Sequence, residues 1–308
     1  MKIKVPQKEM ICNLRYVNSC DIIYSYTGWV DKRNIKIIVN NNFLKELNLI
    51  KQNIVTVYCK WDHLNNFFKV CGRIDKKIIL ISGCSDGCIN KNMFVSKPGN
   101  IVKWYGENIN YKHPDLISLP MGSLSTTWIG NEKDKTEISN HRDFKLVSLN
   151  DNEPKIKNLC FMCFTLDTNR GHRKKVYDYF GEKKWVTNLC KEKTGQYLND
   201  DIFMDNVYNH HFVISPFGNG IDCGRTWMTL QLGSVPILPY HIAFEDWEKN
   251  LPIILFKNIS EITEEFLLEK LKEFKNRNYN YDYLKTSYWK NRWENEKKIY
   301  NKVLNKNE

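Results

Sequence analysis

Residues 211–238, HFVISPFGNGIDCGRTWMTLQLGSVPIL, contain a strand, a glycine-rich loop, a helix and a second strand. The apolar run HFVIS predicts the first strand, and the run SVPIL predicts the second. Between them, DCGRTWMTLQL has the composition of a helix, for which Asp222 is the predicted N-cap. A strand, a helix and a further strand in this order predict a crossover between parallel strands, as in α/β domains.

The alternation of strands and helices extends over the rest of the chain. In the second half we predict strands at 158–164, 184–187 and 252–256, and helices at 170–180 and 199–209. The first half contains short, almost uninterrupted apolar runs, which are typical of parallel strands covered on both faces. These runs occupy residues 21–26, 35–39, 54–59, 77–82, 100–105 and 115–120.

The polarity and the apolar periodicity of the sequence change at two places, which divide the chain into three parts. Residues 123–157 are polar and lack an apolar period, which indicates a linker or surface excursion and a domain boundary. We predict an N-terminal domain at 1–150, a C-terminal domain at 151–275 and a helical segment at 276–308 that packs across both. The last segment carries an apolar stripe formed by Trp289, Trp293, Tyr300 and Leu304.

The composition indicates a folded protein with a basic surface. The chain of 308 residues is 42% hydrophobic and has a net charge of +11 and a pI near 9.0. Its basic residues are spread along the chain rather than clustered, so a nucleic-acid partner is disfavoured. A small anionic ligand fits the charge equally well.

The ten cysteines have no spacing typical of a metal site or a secreted framework. The first residues, MKIKVPQKEMICNLRY, lack the apolar core of a signal peptide, and no apolar run is long enough to span a membrane. We therefore expect no stable membrane insertion and free thiols in a reducing compartment. Cys160 and Cys163 form a C-x-x-C pair, but it lies in an apolar run that reads as a buried strand.

The glycine loop between the strand and the helix admits two interpretations. Helix N-termini at the carboxyl ends of strands offer unpaired N–H groups, and glycines let an anion approach the backbone. In the first interpretation, Gly218 and Gly220 line an anion site and Arg225 adds a charge-assisted hydrogen bond. In the second, the glycines form a turn, Asp222 caps the helix and Arg225 is solvated. The pattern is neither the Rossmann glycine motif nor the P-loop.

Four stretches, in the same order along the chain, resemble the exostosin-like glycosyltransferases of glycosyltransferase family 47. FVISPFGNGIDCGRTWMTLQLGSVPIL is similar to the family's C-terminal signature, strand–S-P-x-G-N-G-x-D–x–H-R-x-W-E-A-L–x–x–G-x-I-P-I. FTLDTNRGHRKKVYDYF resembles its N-x-x-x-R segment, and KWYGENINYKHPDLISLPMGS resembles its W-x-x-x-N and H-P-K-L stretch. LISGCSDGCI resembles its H-N-S-D segment.

The resemblance implies a GT-B architecture within the α/β class. In that architecture two doubly wound, Rossmann-like domains face one another across a cleft, and the C-terminal helix crosses back to the first domain. The N-terminal domain would bind a glycan or other hydroxyl acceptor, and the C-terminal domain a UDP- or GDP-linked sugar. The implied transfer inverts the anomeric carbon and needs no metal or other cofactor.

Sugar transfer from a nucleotide requires positive potential at the leaving diphosphate. We assign this role to the backbone of residues 218–220, to Arg225, and to Arg173 with Asn169. Arg173 could also be a solvated cation, because Lys174 follows it in the same predicted helix. Thr187 and Asn188, expected near the nucleobase, complete a donor-binding set of Asn169, Arg173, Ser215, Gly218, Asn219, Gly220, Asp222, Arg225 and Thr226.

The acceptor hydroxyl requires a general base within hydrogen-bond reach. Asp86, in the loop after a predicted strand of the first domain, is the first candidate, although an Asp before a Gly is also a common turn. His113 is the second candidate, and its position before Pro114 is equally compatible with a structural role. Gly122 is expected to leave room for the sugar in the acceptor cleft.

Two residues depart from the resembled signature. Met228 stands where the family has Glu, and Gly224 stands where it has His. That Glu is expected to hold the ribose hydroxyls, which a thioether does poorly. The alternative is therefore a catalytically inactive nucleotide- or carbohydrate-binding protein on the same fold. Without a predicted anchor, we expect a microbial or viral form that acts in the cytoplasm of a microbe, in host cytoplasm or in a virion.

Overall fold

The computed structural model describes residues 5–26, 38–39, 42–123 and 157–304. Within these residues the protein is a mixed α/β structure with two sheets, whose strands are mostly parallel. The chain forms two compact units. The N-terminal unit contains Ile11–Ile138 and Lys285–Glu308, and the C-terminal unit contains Met1–Met10 and Ser139–Leu284. The predicted domain boundary after residue 150 lies outside the described residues.

A six-stranded sheet forms the centre of the N-terminal unit. Its strands are β1 (Ile22–Tyr26), β2 (Ile38–Val39), β3 (Ile54–Lys60), β4 (Lys77–Gly83), β5 (Ile101–Gly106) and β6 (Leu116–Ser118). They lie in the order β2-β1-β3-β4-β5-β6, and only β2 is antiparallel to its neighbour. The helices of this part are α1 (Asn13–Asn18), α2 (Phe43–Leu49), α3 (Leu64–Cys71) and α4 (Lys91–Val95).

The apolar runs of the first half predict this sheet well. Five of the six predicted strands coincide with β1, β3, β4, β5 and β6 to within a few residues. In β3 every residue except Lys60 is buried, which confirms the expected cover on both faces. Of the run predicted at 35–39, only residues 38 and 39 are described, as β2.

A five-stranded, all-parallel sheet forms the centre of the C-terminal unit. Its strands are β7 (Asn158–Met162), β8 (Val186–Asn188), β9 (His210–Ile214), β10 (Val235–Pro239) and β11 (Ile254–Phe256). Its helices are α5 (Arg170–Phe180), α6 (Lys191–Thr194), α7 (Asp200–Tyr208), α8 (Gly224–Gln231), α9 (Glu245–Asn250) and α10 (Glu264–Asn276). The predicted helix at 170–180 is confirmed as α5, and the helix after the glycine loop as α8.

The strand order of this sheet reverses between two neighbouring strands. The order is β11-β10-β9-β7-β8, so the chain leaves β7 for β8 at one edge and returns to β9 on the other side of β7. The connections that follow β7 and β9 therefore run in opposite directions. In doubly wound sheets, this divergence opens a crevice at the carboxyl ends of the strands, where ligands bind.

The last helix, α11 (Thr286–Leu304), belongs to the N-terminal unit. Trp289 and Trp293 are fully buried and meet Tyr105 edge-on, with ring centroids 6.5 and 6.1 Å away. One turn further, Lys297 Nζ lies 2.7 Å from Asp21 Oδ2 and 2.8 Å from Glu294 Oε1. Burial lowers the pKa of Lys297, but its hydrogen bonds to the two carboxylates outweigh burial and raise the pKa overall.

All ten cysteines are among the described residues, and all are free thiols. Cys160 is buried in β7, where desolvation raises its pKa, and Cys163 follows the strand half-buried. No group of three or more His, Cys, Asp or Glu side chains in the described ranges could hold a metal ion. No described helix is both long enough and apolar enough to cross a membrane.

We predict that the ion pair between Lys297 and Asp21 stabilises the N-terminal unit. Lys297→Met is expected to lower the free energy of unfolding by about 1–3 kcal/mol, less than a fully buried pair would lose. The expected loss is smaller than for a fully buried pair because the Asp21 side chain is 24% exposed, and solvent screens its charge. Urea unfolding at neutral pH measures the effect. The control is Lys298→Met, at the exposed neighbouring lysine, and an equal loss in both variants would contradict the prediction.

Candidate functional site

Two loops meet where the strand order of the C-terminal sheet reverses. One follows β7 at residues 163–169, and the other, the glycine loop, follows β9 at residues 215–223. Helix α5 begins after the first loop and α8 after the second, so both helix N-termini lie at the carboxyl edge of the sheet. The first N–H groups of a helix lack intrahelical partners and attract anions.

Side chains from the neighbouring helix α5 and its N-terminus hold the glycine loop by donating hydrogen bonds to its carbonyl groups. Asn169 Nδ2 donates a hydrogen bond to the Gly218 carbonyl at 2.8 Å, and Arg173 Nε donates to the Phe217 carbonyl at 2.8 Å. Arg173 Nη1 also donates to the Thr165 carbonyl at 2.7 Å. Asn169 binds from a left-handed backbone conformation, with φ of 57°, which asparagine tolerates. No described residue accepts from the N–H groups of the three residues after Phe217.

Two arginines lie against one aromatic ring beside this loop. The guanidinium carbons of Arg173 and Arg225 are 5.8 and 5.7 Å from the centroid of the Phe164 ring. Arg173 is 5% exposed, and burial, followed by the charge of Arg225, lowers its pKa to about 10. No carboxylate in the described part of the chain forms an ion pair with either arginine. Neighbouring cations without an acidic partner favour a bound anion.

Arg225 keeps hydrogen-bonding capacity for a ligand. Its Nη1 lies 3.9 Å from Cys223 Sγ, a weak acceptor. Its Nε is buried and has no hydrogen-bond partner among the described residues. The structure thus leaves most of the guanidinium without an internal role, unlike that of Arg173, which holds two carbonyl groups.

Neighbouring atoms of the protein do not require a glycine at the buried position 218. A Cβ at this position would lie 3.6 Å from Arg173 Nη2 and 3.7 Å from the Gly220 carbonyl oxygen, which are ordinary contact distances. Neither glycine has a positive φ, so the backbone conformation does not require glycine here. Asn219 is exposed between them. These observations favour the anion-site interpretation of the loop over the turn interpretation.

Three predicted donor-binding residues hold the loop to α8 instead of facing a ligand. Ser215 and Thr226 are fully buried, and their hydroxyl oxygens are 3.0 Å apart. The predicted N-cap is wrong, because Cys223 occupies that position. The Asp222 carboxylate accepts from the Cys223 N–H at 2.7 Å and from Trp227 Nε1 at 2.8 Å. A buried indole N–H needs an acceptor, and Asp222 satisfies it.

The two predicted nucleobase contacts are engaged elsewhere in the C-terminal unit. Thr187 Oγ1 is 2.8 Å from Nε2 of His210, the first residue of β9, whereas the glycine loop follows the last residue of that strand. The Asn188 side chain donates to the Gly181 carbonyl at 3.2 Å and accepts from the Cys190 N–H at 3.0 Å. The structure therefore does not bring Thr187 to the loop, and Asn188 stabilises the turn after β8.

Asp86 occupies an open position on the N-terminal unit. It lies in the loop after β4, at the carboxyl edge of the sheet, and is exposed. No other residue in the described ranges forms a hydrogen bond or an ion pair with its carboxylate. A carboxylate that is accessible and without an internal partner can accept a proton or bind a hydroxyl group.

The other two acceptor-side predictions are not supported. His113 precedes β6 and so lies at the amino edge of the sheet, away from the first candidate base. Its Nδ1 accepts from the Asp115 N–H at 3.0 Å, and its ring centroid is 4.5 Å from that of Phe94, which indicates a structural role. Gly122 has φ of 77°, and a Cβ there would lie 2.1 Å from the Ile11 carbonyl oxygen. The missing side chain makes room for this backbone, not for a sugar.

Sequence reasoning missed two aromatic residues beside the loop. Phe164, at the end of an apolar run, lies against both arginines. The His172 ring stacks on Phe217, with centroids 5.0 Å apart and planes at 18°, and burial lowers its pKa. The signal available in the sequence was position: Phe164 lies five residues before the N-x-x-x-R segment that contains Asn169 and Arg173, and His172 lies within that segment.

Comparison with family models and with curated proteins finds no match to this chain. The class of the protein therefore follows from its fold and its site. It is an α/β protein with two units built on mostly parallel sheets. In one of these units, the glycine loop and two arginines meet at the point where the strand order reverses and form the candidate anion site.

We predict that the same substitution at two glycines changes the stability by different amounts. Gly218→Ala is expected to change the free energy of unfolding by less than about 1 kcal/mol, because the added Cβ meets only ordinary contacts. Gly122→Ala is expected to cost about 2 kcal/mol or more, because its φ is positive and a backbone atom blocks the Cβ. Parallel urea melts compare the two. A loss at Gly218 as large as that at Gly122 would show that the loop requires glycine for its own backbone.

Proposed function

We propose that this protein is a glycosyltransferase of the exostosin-like type, with its two α/β units in a GT-B arrangement. It would move a sugar from a nucleotide sugar to a hydroxyl group of a glycan or another acceptor. The observation that carries the proposal is the pair of cations, Arg173 and Arg225, beside the unpaired N–H groups of the glycine loop. Cations and helix N-termini at this edge of a doubly wound sheet suit a nucleoside diphosphate.

The proposed donor site stabilises the leaving group. When the bond between the sugar and the diphosphate breaks, the diphosphate oxygen gains negative charge. In this proposal, the N–H groups of residues 218–220 and the Arg225 guanidinium would bind it. Asn169 and Arg173 act on the loop, since they hold its carbonyl groups and leave the N–H groups free for the ligand. Because these contacts exist before the ligand arrives, binding requires little reorganisation.

The proposed acceptor side supplies a general base. As the acceptor oxygen bonds to the anomeric carbon, its proton passes to a carboxylate. Asp86 is proposed for this role because it is exposed and has no internal partner among the described residues. Direct displacement by the acceptor inverts the anomeric carbon. In this proposal arginines and N–H groups neutralise a UDP- or GDP-linked donor without a metal or other cofactor.

We predict that a nucleoside diphosphate stabilises the wild-type protein against heat and that Arg225→Ala removes this effect. UDP, GDP, CMP, dTDP and their sugar conjugates are compared by thermal shift. A ligand at about 100 times its dissociation constant adds about 2.7 kcal/mol of stability. The matched control is Arg170→Ala, at an arginine whose side chain is 71% exposed and pairs with Asp167 at 3.2 Å. This control is expected to keep the full shift.

The outcomes of that experiment separate three cases. Stabilisation lost only in Arg225→Ala supports the donor site, and the effective nucleotide identifies the donors to test for transfer. Stabilisation that survives in Arg225→Ala would place the ligand elsewhere. No stabilisation by any compound would contradict the proposal.

A second candidate function is a non-catalytic nucleotide- or carbohydrate-binding protein on the same fold. The observation that favours it is Met228, which is 6% exposed in α8 where the resembled signature has Glu. A buried thioether offers only weak hydrogen bonds to ribose hydroxyls. Gly224, which stands where the signature has His, is the buried first residue of α8 and provides no side-chain donor. Under this alternative the anion site binds its ligand but no sugar is transferred.

We predict that Met228→Glu distinguishes the two functions. For an active glycosyltransferase, this change is expected to alter nucleotide affinity by no more than about tenfold and to leave the wild-type rate of transfer measurable. For a decayed enzyme, it would produce transfer where the wild type has none. Release of the nucleoside diphosphate from the stabilising nucleotide sugar provides the assay. Met228→Gln, of similar size and without charge, controls for disturbance of the buried position, and melting curves confirm folding.

A further inference from the structure

Backbone strain in the described residues is concentrated at the two candidate sites. Three non-glycine residues have a positive φ: Cys84 at 60°, Asn108 at 53° and Asn169 at 57°. A left-handed conformation is unfavourable for a residue with a side chain and persists only where surrounding contacts impose it. Asn169 holds the glycine loop. Cys84 and Asn108 follow the neighbouring strands β4 and β5, at the edge that carries Asp86.

A buried carboxylate holds the first of these residues. Glu107 directly follows β5 and is only 1% exposed. Its Oε2 accepts a hydrogen bond from the Cys84 N–H at 3.0 Å, and its own N–H donates to the Ser82 carbonyl at 3.1 Å. Gly83 is required beside it, because a Cβ at position 83 would lie 2.5 Å from the carboxyl carbon of Glu107. The side chain of Glu107 therefore fixes the point at which the chain leaves β4.

The remainder of the turn at residues 84–87 is anchored on both sides of Asp86. Asn108 Nδ2 donates to the Ser85 carbonyl at 3.0 Å. Gly87 packs against the Trp61 indole, where a Cβ would lie 2.4 Å from the ring. Asp86 thus sits between two fixed residues while its own carboxylate stays exposed. This combination presents one ionisable group in a defined position.

The thiol of Cys84 is not an alternative reactive group in this turn. Burial, and after it the charge of Glu107, raise the pKa of Cys84 to about 12. The thiol is therefore protonated at neutral pH and is a poor nucleophile or base. Asp86 remains the exposed ionisable side chain of the turn.

We propose that Glu107 is a positioning residue, whose buried carboxylate holds residues 84–87 in the conformation that presents Asp86 to the acceptor hydroxyl. The inference rests on the proposed glycosyl transfer. In that step the acceptor oxygen forms a bond to the anomeric carbon and its proton moves to the Asp86 carboxylate. The bond from the anomeric carbon to the diphosphate oxygen breaks, and the diphosphate leaves with the electron pair.

The test compares Glu107→Ala and Glu107→Gln with the wild type. Hydrogen–deuterium exchange measures the amides of residues 84–87, with those of residues 218–220 as an internal reference. Glu107→Ala is expected to speed exchange at 84–87 about tenfold or more, because the Cys84 N–H loses its acceptor. Glu107→Gln keeps an acceptor oxygen and is expected to restore protection. If Glu107→Ala does not fold, Asn108→Gly removes the clamp on Ser85 and keeps the left-handed backbone accessible.

Release of the nucleoside diphosphate from the nucleotide sugar that stabilises the wild type gives the functional measurement. Glu107→Ala is expected to lower kcat about a hundredfold, as misplacement of a catalytic group does, while thermal stabilisation by the donor nucleotide stays unchanged. Asp86→Asn sets the rate without the base, and Glu107→Gln should recover most of kcat.

Two results would overturn the inference. One is unchanged exchange at residues 84–87 in Glu107→Ala, which would show that Glu107 does not hold the turn. The other is faster exchange with unchanged kcat, which would show that the turn does not matter for the reaction. A wild type that binds nucleotide but never turns over would instead refute the proposed transfer, and with it the catalytic part of the inference. The exchange measurement would still decide whether Glu107 holds the turn.

Discussion

The hydrogen bond from Arg173 Nε to the Phe217 carbonyl is the contact on which the candidate anion site depends. Together with the bond from Asn169 Nδ2 to the Gly218 carbonyl, it satisfies the loop's acceptors from the side of α5. The N–H groups of residues 218–220 have no acceptor among the described residues, and a backbone donor in a crevice needs an acceptor from a ligand or from water. The same bond fixes the Arg173 guanidinium against Phe164, where it shares the ring with Arg225. The hydrogen bond from Arg173 to the Phe217 carbonyl thus fixes both the conformation of the loop and the position of a positive charge beside it.

Both units use the same device at the carboxyl edge of their sheets. In the N-terminal unit, Asn108 follows β5 and its Nδ2 donates to the Ser85 carbonyl in the loop after the neighbouring strand β4. In the C-terminal unit, Asn169 follows β7 and its Nδ2 donates to the Gly218 carbonyl in the loop after the neighbouring strand β9. Both asparagines are left-handed, a conformation that their short polar side chain tolerates better than most. In both units, a residue with a strained backbone after one strand orders the loop after the neighbouring strand.

The sequence predicts the architecture better than the details of the sites, and the reason is the range of the interactions involved. Strands and helices follow from local apolar patterns, and the place of the glycine loop follows from the rule for strand ends. Asp222 fails as an N-cap because it serves the buried indole of Trp227, a choice that depends on packing. Gly122 fails because the backbone of Ile11, remote in sequence, approaches it. Thr187 is predicted near the nucleobase, but its hydroxyl forms a hydrogen bond with His210 of another strand. None of these partners is marked by spacing in the sequence.

The two arginines are unfavourable neighbours in the protein without a ligand. A pKa lowered to about 10 still leaves Arg173 charged at neutral pH, so the fold bears both the cost of its burial and its repulsion from Arg225. The fold accounts for Arg173, which donates to two carbonyl groups, but it gives Arg225 no comparable hydrogen bond. A bound dianion would reverse the sign of the interaction, because each cation would then face an opposite charge at short range. Relief of this repulsion would therefore contribute to the affinity of the proposed site for an anion.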